Sequence, residues 1–315
     1  MRYIGRFAPS PTGPLHMGSL VAALASWLDA KANQGQWLIR IEDIDKERCQ
    51  NRYSQLIIEQ LSKCGLRHDG EIVYQSQRQR VYETYTKKLK QHDLLYRCLC
   101  SRANIWRALN QANDESHAQS LIYPGTCRES SLHAPSSEKE LGIKDSDKVE
   151  KPFSLRIKTM NQPFQWHDRR MGEQIQNIFT QVGDFIIKRS DGPYSYQLCV
   201  VADDIEQSVT HVVRGEDLLD NTPRQNYLYQ LFNQSPPIYL HVPLVKNNQG
   251  EKLSKQNFAP SIDLETTQST LTTMQSAAIF LGLHPTIKPN SSLSEHLLDW
   301  TRQWSLKFPL NLSNP

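Results

Sequence analysis

Residues 6–19, Arg-Phe-Ala-Pro-Ser-Pro-Thr-Gly-Pro-Leu-His-Met-Gly-Ser, leave the chain few conformational choices. Pro9 and Pro11 fix φ, Gly13 permits a tight turn, and Leu20, Leu24, Trp27, Leu28 and Lys31 follow at helical spacing. Residues 2–7 therefore read as a strand, and the chain after His16 as a helix that stops before Gly35. Residues 37–42 are a second β-prone run, ending at Asp43-Ile44-Asp45, where either aspartate is expected to cap the next helix. A strand, a helix and a strand make a βαβ unit, which requires parallel pairing and places ligands beyond the carboxyl ends of the strands. Residues 9–16 and 42–45 both fall there. The start of a helix offers unpaired N–H groups and a positive dipole end to an anion, to which His16 and Ser19 can add donors for a phosphate. The stretch is neither a P-loop, since no G-x-x-x-x-G-K-[ST] occurs, nor a dinucleotide fingerprint, since its glycines are wrongly spaced.

The 315 residues, 22% charged and 38% hydrophobic, suffice for one large or two modest domains with a real core. A net charge of +3 excludes a polyelectrolyte, so any nucleic acid must meet a local basic surface. The start of the chain has no apolar signal-like run, and residues 20–28 are far shorter than the ~20 residues of a membrane span. The expectation is a cytoplasmic enzyme without a membrane partner.

Six cysteines, at 49, 64, 98, 100, 127 and 199, are too uneven for a disulfide scaffold. Cys98, Cys100 and Cys127 cluster, which points to zinc; Tyr123, His117, His133 or a water is open as the fourth ligand. Residues 129–151 are Ser-, Lys-, Glu- and Asp-rich and read as an insertion with little to bury. Strands are expected at 153–157 and 184–188, with a turn at Trp166-His167-Asp168 to which no chemistry attaches and whose His167 reads as a surface histidine. Residues 194–204 suggest a helix and 209–213 a buried strand, with Arg214-Gly215-Glu216-Asp217 at its end. A guanidinium there suits a carboxylate or phosphate, the alternative being an ion pair with Glu216 or Asp217. Asn221-Thr-Pro opens a helix, 240–245 makes a last strand, and Lys252, Ser254 and Lys255 lie on a loop suited to clamp phosphate. Residues 261–283 read as helical, and the tail with Trp300 and Trp304 is expected to pack another helix or two on the body.

Four of these motifs, in order, carry a resemblance. Pro9-Ser-Pro-Thr-Gly-Pro-Leu-His16-Met-Gly-Ser19 resembles the first signature of class I aminoacyl-tRNA synthetases, and Lys252-Leu-Ser-Lys-Gln256 the second. Residues 39–45 and Val213-Arg-Gly-Glu-Asp217 resemble the glutamate-specific branch. Only 59 residues follow Gln256, too few for the anticodon-binding half of a full glutamyl enzyme. With the cysteines and Tyr123, this resembles the truncated paralogues that attach glutamate to the queuosine base in the anticodon of tRNA-Asp. Ser19 and Gln256 stand where the general signatures have histidine and serine.

The resemblance implies an α/β fold: a Rossmann-type parallel sheet with helices on both faces, interrupted by a zinc-bearing insertion and followed by a short helical C-terminal part. Its expected divisions are 1–95 and 152–245 for the two catalytic halves, 96–151 for the insertion and 246–315 for the loop and C-terminal helices, without an anticodon-binding domain. It implies that Arg6, Phe7, Ala8, Pro9, Ser10, Glu42, Tyr196 and Arg214 hold L-glutamate, Glu42 meeting the ammonium and Arg214 a carboxylate. His16, Gly18, Ser19, Lys252, Ser254 and Lys255 are implied for ATP with Mg2+, His16 and Lys255 being catalytic. One structural zinc is implied on Cys98, Cys100, Tyr123 and Cys127. The expected reaction is tRNA-independent formation of glutamyl-adenylate, then transfer to queuosine of tRNA-Asp, with Arg97, Arg102, Arg107 and Arg128 as candidate phosphate contacts. The alternatives are a short glutamyl-tRNA synthetase acylating a tRNA 3′ end, or an inactive paralogue that binds RNA or senses an amino acid.

Overall fold

The computed structural model describes residues 2–111, 122–129, 151–247, 249–253, 260–284, 286–288 and 291–310. Ser254, Lys255, His117, His133 and all but the ends of the 129–151 stretch lie outside the described residues.

The chain begins β1 (Ile4–Phe7), α1 (Met17–Ala32), β2 (Gln36–Ile41), α2 (Asn51–Lys63), β3 (Val73–Tyr74) and α3 (Gln79–Gln91). It continues through β4 (Leu95–Cys98), α4 (Arg102–Gln111), β5 (Ser154–Ile157), β6 (Pro163–Asp168), β7 (Gly172–Asn177), α5 (Ile178–Gln181) and β8 (Ile186–Lys188). The rest is α6 (Tyr196–Glu206), β9 (His211–Gly215), α7 (Thr222–Leu231), β10 (Ile238–Val242), α8 (Thr267–Phe280) and α9 (Leu293–Lys307).

β1, β2 and β3 pair in parallel, as do β9, β10 and β6, with β7 antiparallel at the edge. The two sets meet where β1 runs beside β9: Thr210 N donates to Ile4 O (2.9 Å), and Thr210 Oγ1 accepts from Ile4 N (2.8 Å). β4, β5 and β8 form a separate antiparallel sheet.

Alternation along the parallel strands sorts the side chains into two chemically different faces. Ile39, Ile41, Val213, Leu240 and Val242 join a core with Leu20, Leu24 and Leu28 of α1, Met274 of α8, and Trp300 and Trp304 of α9. Arg6, Arg40, Arg214 and His241 take the other face, all at most 5% exposed, where α6 and α7 supply partners to the arginines and Asp168 of β6 supplies one to His241. Burying four such groups is tolerable only because each is hydrogen-bonded or ion-paired there.

Three local expectations are corrected. Neither Asp43 nor Asp45 caps α2, whose preceding Gln50 makes no side-chain cap. Asp43 instead accepts from Ser76 N and Oγ, while Asp45 accepts from Arg48 in the turn before the helix. The run at 261–283 is helical only from Thr267, because Thr266 and Ser269 form a capping box there. Upstream of it Ser261 forms an antiparallel bridge with His16, and Ile262 N donates to Leu15 O. Trp166, His167 and Asp168 lie in β6 rather than a turn.

Candidate active site

At the carboxyl ends of β1, β9 and β10, where the two parallel sets meet, the structure opens a cleft of about 450 Å³. This is the crevice at which a doubly wound sheet binds ligands, and the volume lies in the range of about 300–1,000 Å³ usual for small-molecule sites. Its walls bring together Arg6, Phe7, Ala8, Pro9, Ser10, His16, Gly18, Ser19, Tyr196, Arg214 and Lys252.

The start of α1 forms one wall. His16 is the N-cap: its Nδ1 accepts from Ser19 N (3.3 Å), while Ser19 Oγ accepts from His16 N and donates to His16 O (both 2.8 Å). With Nδ1 an acceptor, the ring proton belongs on Nε2, so His16 can donate to an anion. The Ser19 hydroxyl is engaged in the cap. Gly18 matters sterically, since a Cβ there would stand 3.2 Å from the His16 ring and 3.7 Å from Leu253 O, the end of the described loop that follows Lys252.

Arg214 forms the opposite wall and pairs with neither Glu216 nor Asp217. Its Nε donates to His241 Nε2 (3.0 Å), one terminal nitrogen to Gln225 Oε1 (2.7 Å) and the other to Thr222 Oγ1 (2.9 Å). A guanidinium has five N–H groups, so two remain beyond these three bonds. Glu216 holds Arg170, and Asp217 holds Lys252. Gly215 permits the second pairing, because a Cβ there would meet the Asp217 carboxylate.

Behind the cleft lies a buried cluster of charge. Asp204 accepts from Arg6 Nε (3.2 Å) and Arg40 (2.7 Å), and Arg40 also stands 3.5 Å from Glu42 and 3.8 Å from Asp203. Burial favours protonating Asp204, but Arg40 and then Arg6 hold its carboxyl below the usual range. Glu42 behaves oppositely: burial pushes it up to about 7, against the pull of Arg40 and Arg6 and with help from Asp204 and Asp203. Glu42 is not on the cleft wall, although Tyr196, which is, feels its charge together with those of Arg214 and Arg6. Glu42 Oε1 accepts no hydrogen bond from the described residues.

Sequence reasoning missed Asp168, Asp204 and His241. Asp204 and His241 sat inside runs read as plain helix and strand, and nothing local to either signalled a partner.

A second constellation lies away from the cleft. Cys98, Cys100 and Cys127 present their sulfurs within 4.8 Å of one another, with Cys100 and Cys127 at 3.6 Å. Tetrahedral bonds of about 2.3 Å to zinc require sulfurs roughly 3.8 Å apart, so the set fits that ion. The Tyr123 hydroxyl lies 3.4 Å from Cys98 Sγ and 3.9 Å from Cys100 Sγ, and it accepts from Cys127 N (2.9 Å). An oxygen among three thiols can complete four-coordination. No described helix is long and apolar enough to cross a membrane.

Residues 4–283 match the family model described as tRNA synthetases class I (E and Q), catalytic domain. A glutamyl-Q tRNA(Asp) synthetase of Albidiferax ferrireducens is 46% identical over 96% of the chain and 98% of its own length. One from a Janthinobacterium species is 44% identical over 98% of each. Among solved structures, a glutamate tRNA ligase from Elizabethkingia meningosepticum, in complex with its amino acid, is similar with a TM-score of 0.67 and 29% identity. That match covers 81% of this chain and 52% of the ligase, so the chain spans about half its length.

Proposed function

The chain belongs to the class I tRNA synthetases of the glutamate and glutamine branch, among the glutamyl-Q tRNA(Asp) synthetases, and from that membership we propose a two-step reaction. L-Glutamate is first activated by ATP without tRNA, and the glutamyl group then passes to a hydroxyl of the queuosine base in the anticodon of tRNA-Asp, the acyl–phosphate bond breaking and AMP leaving. The observation that carries the reading is one cleft with an anion-binding helix start on one wall and two buried arginines on the others.

ATP, brought with its Mg2+, lies across the start of α1 with its phosphates toward His16 Nε2. Glutamate lies deeper, one carboxylate facing Arg214 and the other end facing Arg6, Ser10 and the backbone of residues 7–9. Its ammonium faces Glu42 past Tyr196. The α-carboxylate oxygen attacks the α-phosphorus, the bond to the bridging oxygen breaks, and pyrophosphate leaves; glutamyl-adenylate remains, with no covalent enzyme intermediate. The protein contributes positioning and fixed charge. Lys252 is tied to Asp217 in a half-exposed pair, worth at most about 1 kcal/mol, so a triphosphate can draw it across. Lys255 is assigned the same phosphate-clamping role in this reading. A site built to pair two carboxylates rejects glutamine by about 10⁴, because its own buried groups are then left unmatched.

Zinc on Cys98, Cys100, Cys127 and Tyr123 is structural in this reading: a closed set of protein ligands holds the fold around it. Cytoplasmic residence follows from the same reading, since tRNA is the partner.

The test is to incubate enzyme, ATP and labelled glutamate with tRNA-Asp carrying or lacking queuosine. Label that appears only with queuosine, and survives removal of the 3′ terminal adenosine, is expected. Label lost with that adenosine instead identifies a short glutamyl-tRNA synthetase. Absence of glutamate-dependent pyrophosphate exchange identifies an inactive paralogue.

Glu42 makes the first step dependent on pH. It must be ionised to accept the ammonium, and it titrates near 7 before glutamate arrives. Below that value each pH unit is expected to raise the glutamate KM about tenfold, with a plateau above it. Glu42→Gln is expected to abolish the slope; a slope that persists in the variant assigns it to another group.

A further inference from the structure

We propose that Asp168 and His241 are positioning residues that aim Arg214 at its carboxylate, an inference that rests on the role given to Arg214 above. Three neighbouring strands supply the chain: Asp168 ends β6, His241 lies in β10 between the other two, and Arg214 sits directly across from it in β9. His241 and Asp168 are fully buried.

The hydrogen bonds run in one direction. Asp168 accepts from Arg170 N (3.0 Å), Met171 N (2.9 Å) and His241 N (3.1 Å), so its carboxylate is fixed before the imidazole is considered. His241 Nδ1–H donates to Asp168 Oδ2 (2.6 Å). The other ring nitrogen, Nε2, is then a bare acceptor, and it receives Arg214 Nε–H (3.0 Å), with Thr222 Oγ1 at 3.4 Å. Only the neutral ring protonated at Nδ1 satisfies both neighbours; a proton on Nε2 would set two donors against each other. Burial first, and Arg214 and Arg170 in addition, favour that neutral ring against the pull of Asp168.

The consequence concerns direction rather than charge. With Nε held by His241 and one N–H of each terminal nitrogen held by Gln225 and Thr222, the guanidinium cannot rotate about its stem. Its remaining N–H on each terminal nitrogen presents a fixed fork, the geometry that pairs a carboxylate through two parallel bonds. Asp168 thus governs a glutamate contact while touching neither substrate nor cleft.

Asp168→Asn keeps the shape but offers an amide donor to Nδ1, which moves the ring proton to Nε2 and turns it against Arg214. The assay is tRNA-free, glutamate-dependent pyrophosphate exchange. Asp168→Asn is expected to raise the glutamate KM by about 10- to 100-fold, as loss of an outer hydrogen-bond partner does elsewhere, with the ATP KM within about twofold. His241→Leu should match it, whereas His241→Gln, whose amide oxygen can replace Nε2 as acceptor, should recover most of the loss. Imidazole nitrogen shifts should move from the Nδ1–H to the Nε2–H pattern in Asp168→Asn. Arg214→Lys separates the two readings. If it leaves the glutamate KM unchanged, the role of Arg214 itself is wrong. If it raises the KM while Asp168→Asn and His241→Leu do not, the positioning role alone is wrong. Equal rises in both KM values with a lowered thermal midpoint, and no rescue by glutamine, would reduce the pair to a structural one and also overturn it.

Discussion

Asp204→Asn is expected to lower the thermal midpoint by about 10 °C, although the substitution changes no volume. Asp204 is 2% exposed and is the shared partner of Arg6 and Arg40, which are 4% and 0% exposed. Removing one partner from a buried ion pair costs about 3–5 kcal/mol, because the remaining charge stays desolvated. For a chain of this size each kcal/mol is worth about 2–4 °C. The sign with pH follows from the depressed carboxyl of Asp204. Its stabilisation is complete above the unfolded-state value and is lost as pH falls through the lower folded-state value. The gap between the two melting curves should therefore close in strong acid and be full at neutral pH. Scanning calorimetry at both pH values checks this; equal midpoints at neutral pH would show that Arg6 and Arg40 do not depend on Asp204.

The same substitution reaches the cleft. Asp204 is one of the charges that push the Glu42 carboxyl up, so the asparagine variant should bring the pH dependence of the glutamate KM to lower pH. Arg6, having lost the acceptor of its Nε, should also hold glutamate more loosely.

The elements readable in the sequence are those whose signal is local. α1 announces itself by apolar spacing and the prolines before it, and the cysteine cluster by Cys98 and Cys100 two apart and Cys127 just after a Pro-Gly turn. The start of α8 is less legible, because its capping box pairs Thr266 with Ser269 rather than with the Glu or Gln that usually marks one in sequence. What was not legible depends on strand order. Asp168 meets His241 across 73 positions, and His241 meets Arg214 across 27, because β10 lies between β6 and β9. No spacing rule within a window can find such a contact. Arg214 could be read as a clamp or an ion pair until Glu216 and Asp217 were seen to hold Arg170 and Lys252.

Cys127→Ser is expected to separate the two steps of the proposed reaction. Wild-type protein should carry one equivalent of zinc and the variant none, measured by metal analysis after dialysis. Apparent zinc-binding energies near neutral pH are about 10–16 kcal/mol in small zinc domains, far more than the surrounding apolar contacts can replace. Those contacts are few: Tyr96, Cys98, Ile105, Leu109, Tyr123 and Cys127 make up a small core of their own, with Cys100 against it. Without metal, β4, α4 and the turn at 125–128 should lose their mutual order. The damage should stop at Asp184, which accepts from Tyr96 (2.7 Å), Arg128 (2.8 Å) and Thr159 N (2.7 Å) and anchors this region to the strands beneath. None of these residues lines the cleft, whose walls come from β1, α1, β9, β10, Tyr196 at the start of α6 and the loops beyond the strands. Pyrophosphate exchange without tRNA should therefore stay within about threefold of wild type, while transfer to tRNA, whose candidate phosphate contacts Arg97, Arg102, Arg107 and Arg128 lie in this region, falls by about 100-fold or more. Transfer at the wild-type rate in zinc-free variant would remove the metal site from tRNA recognition. Exchange lost together with transfer would instead show that the cleft takes its shape from the metal-bearing region.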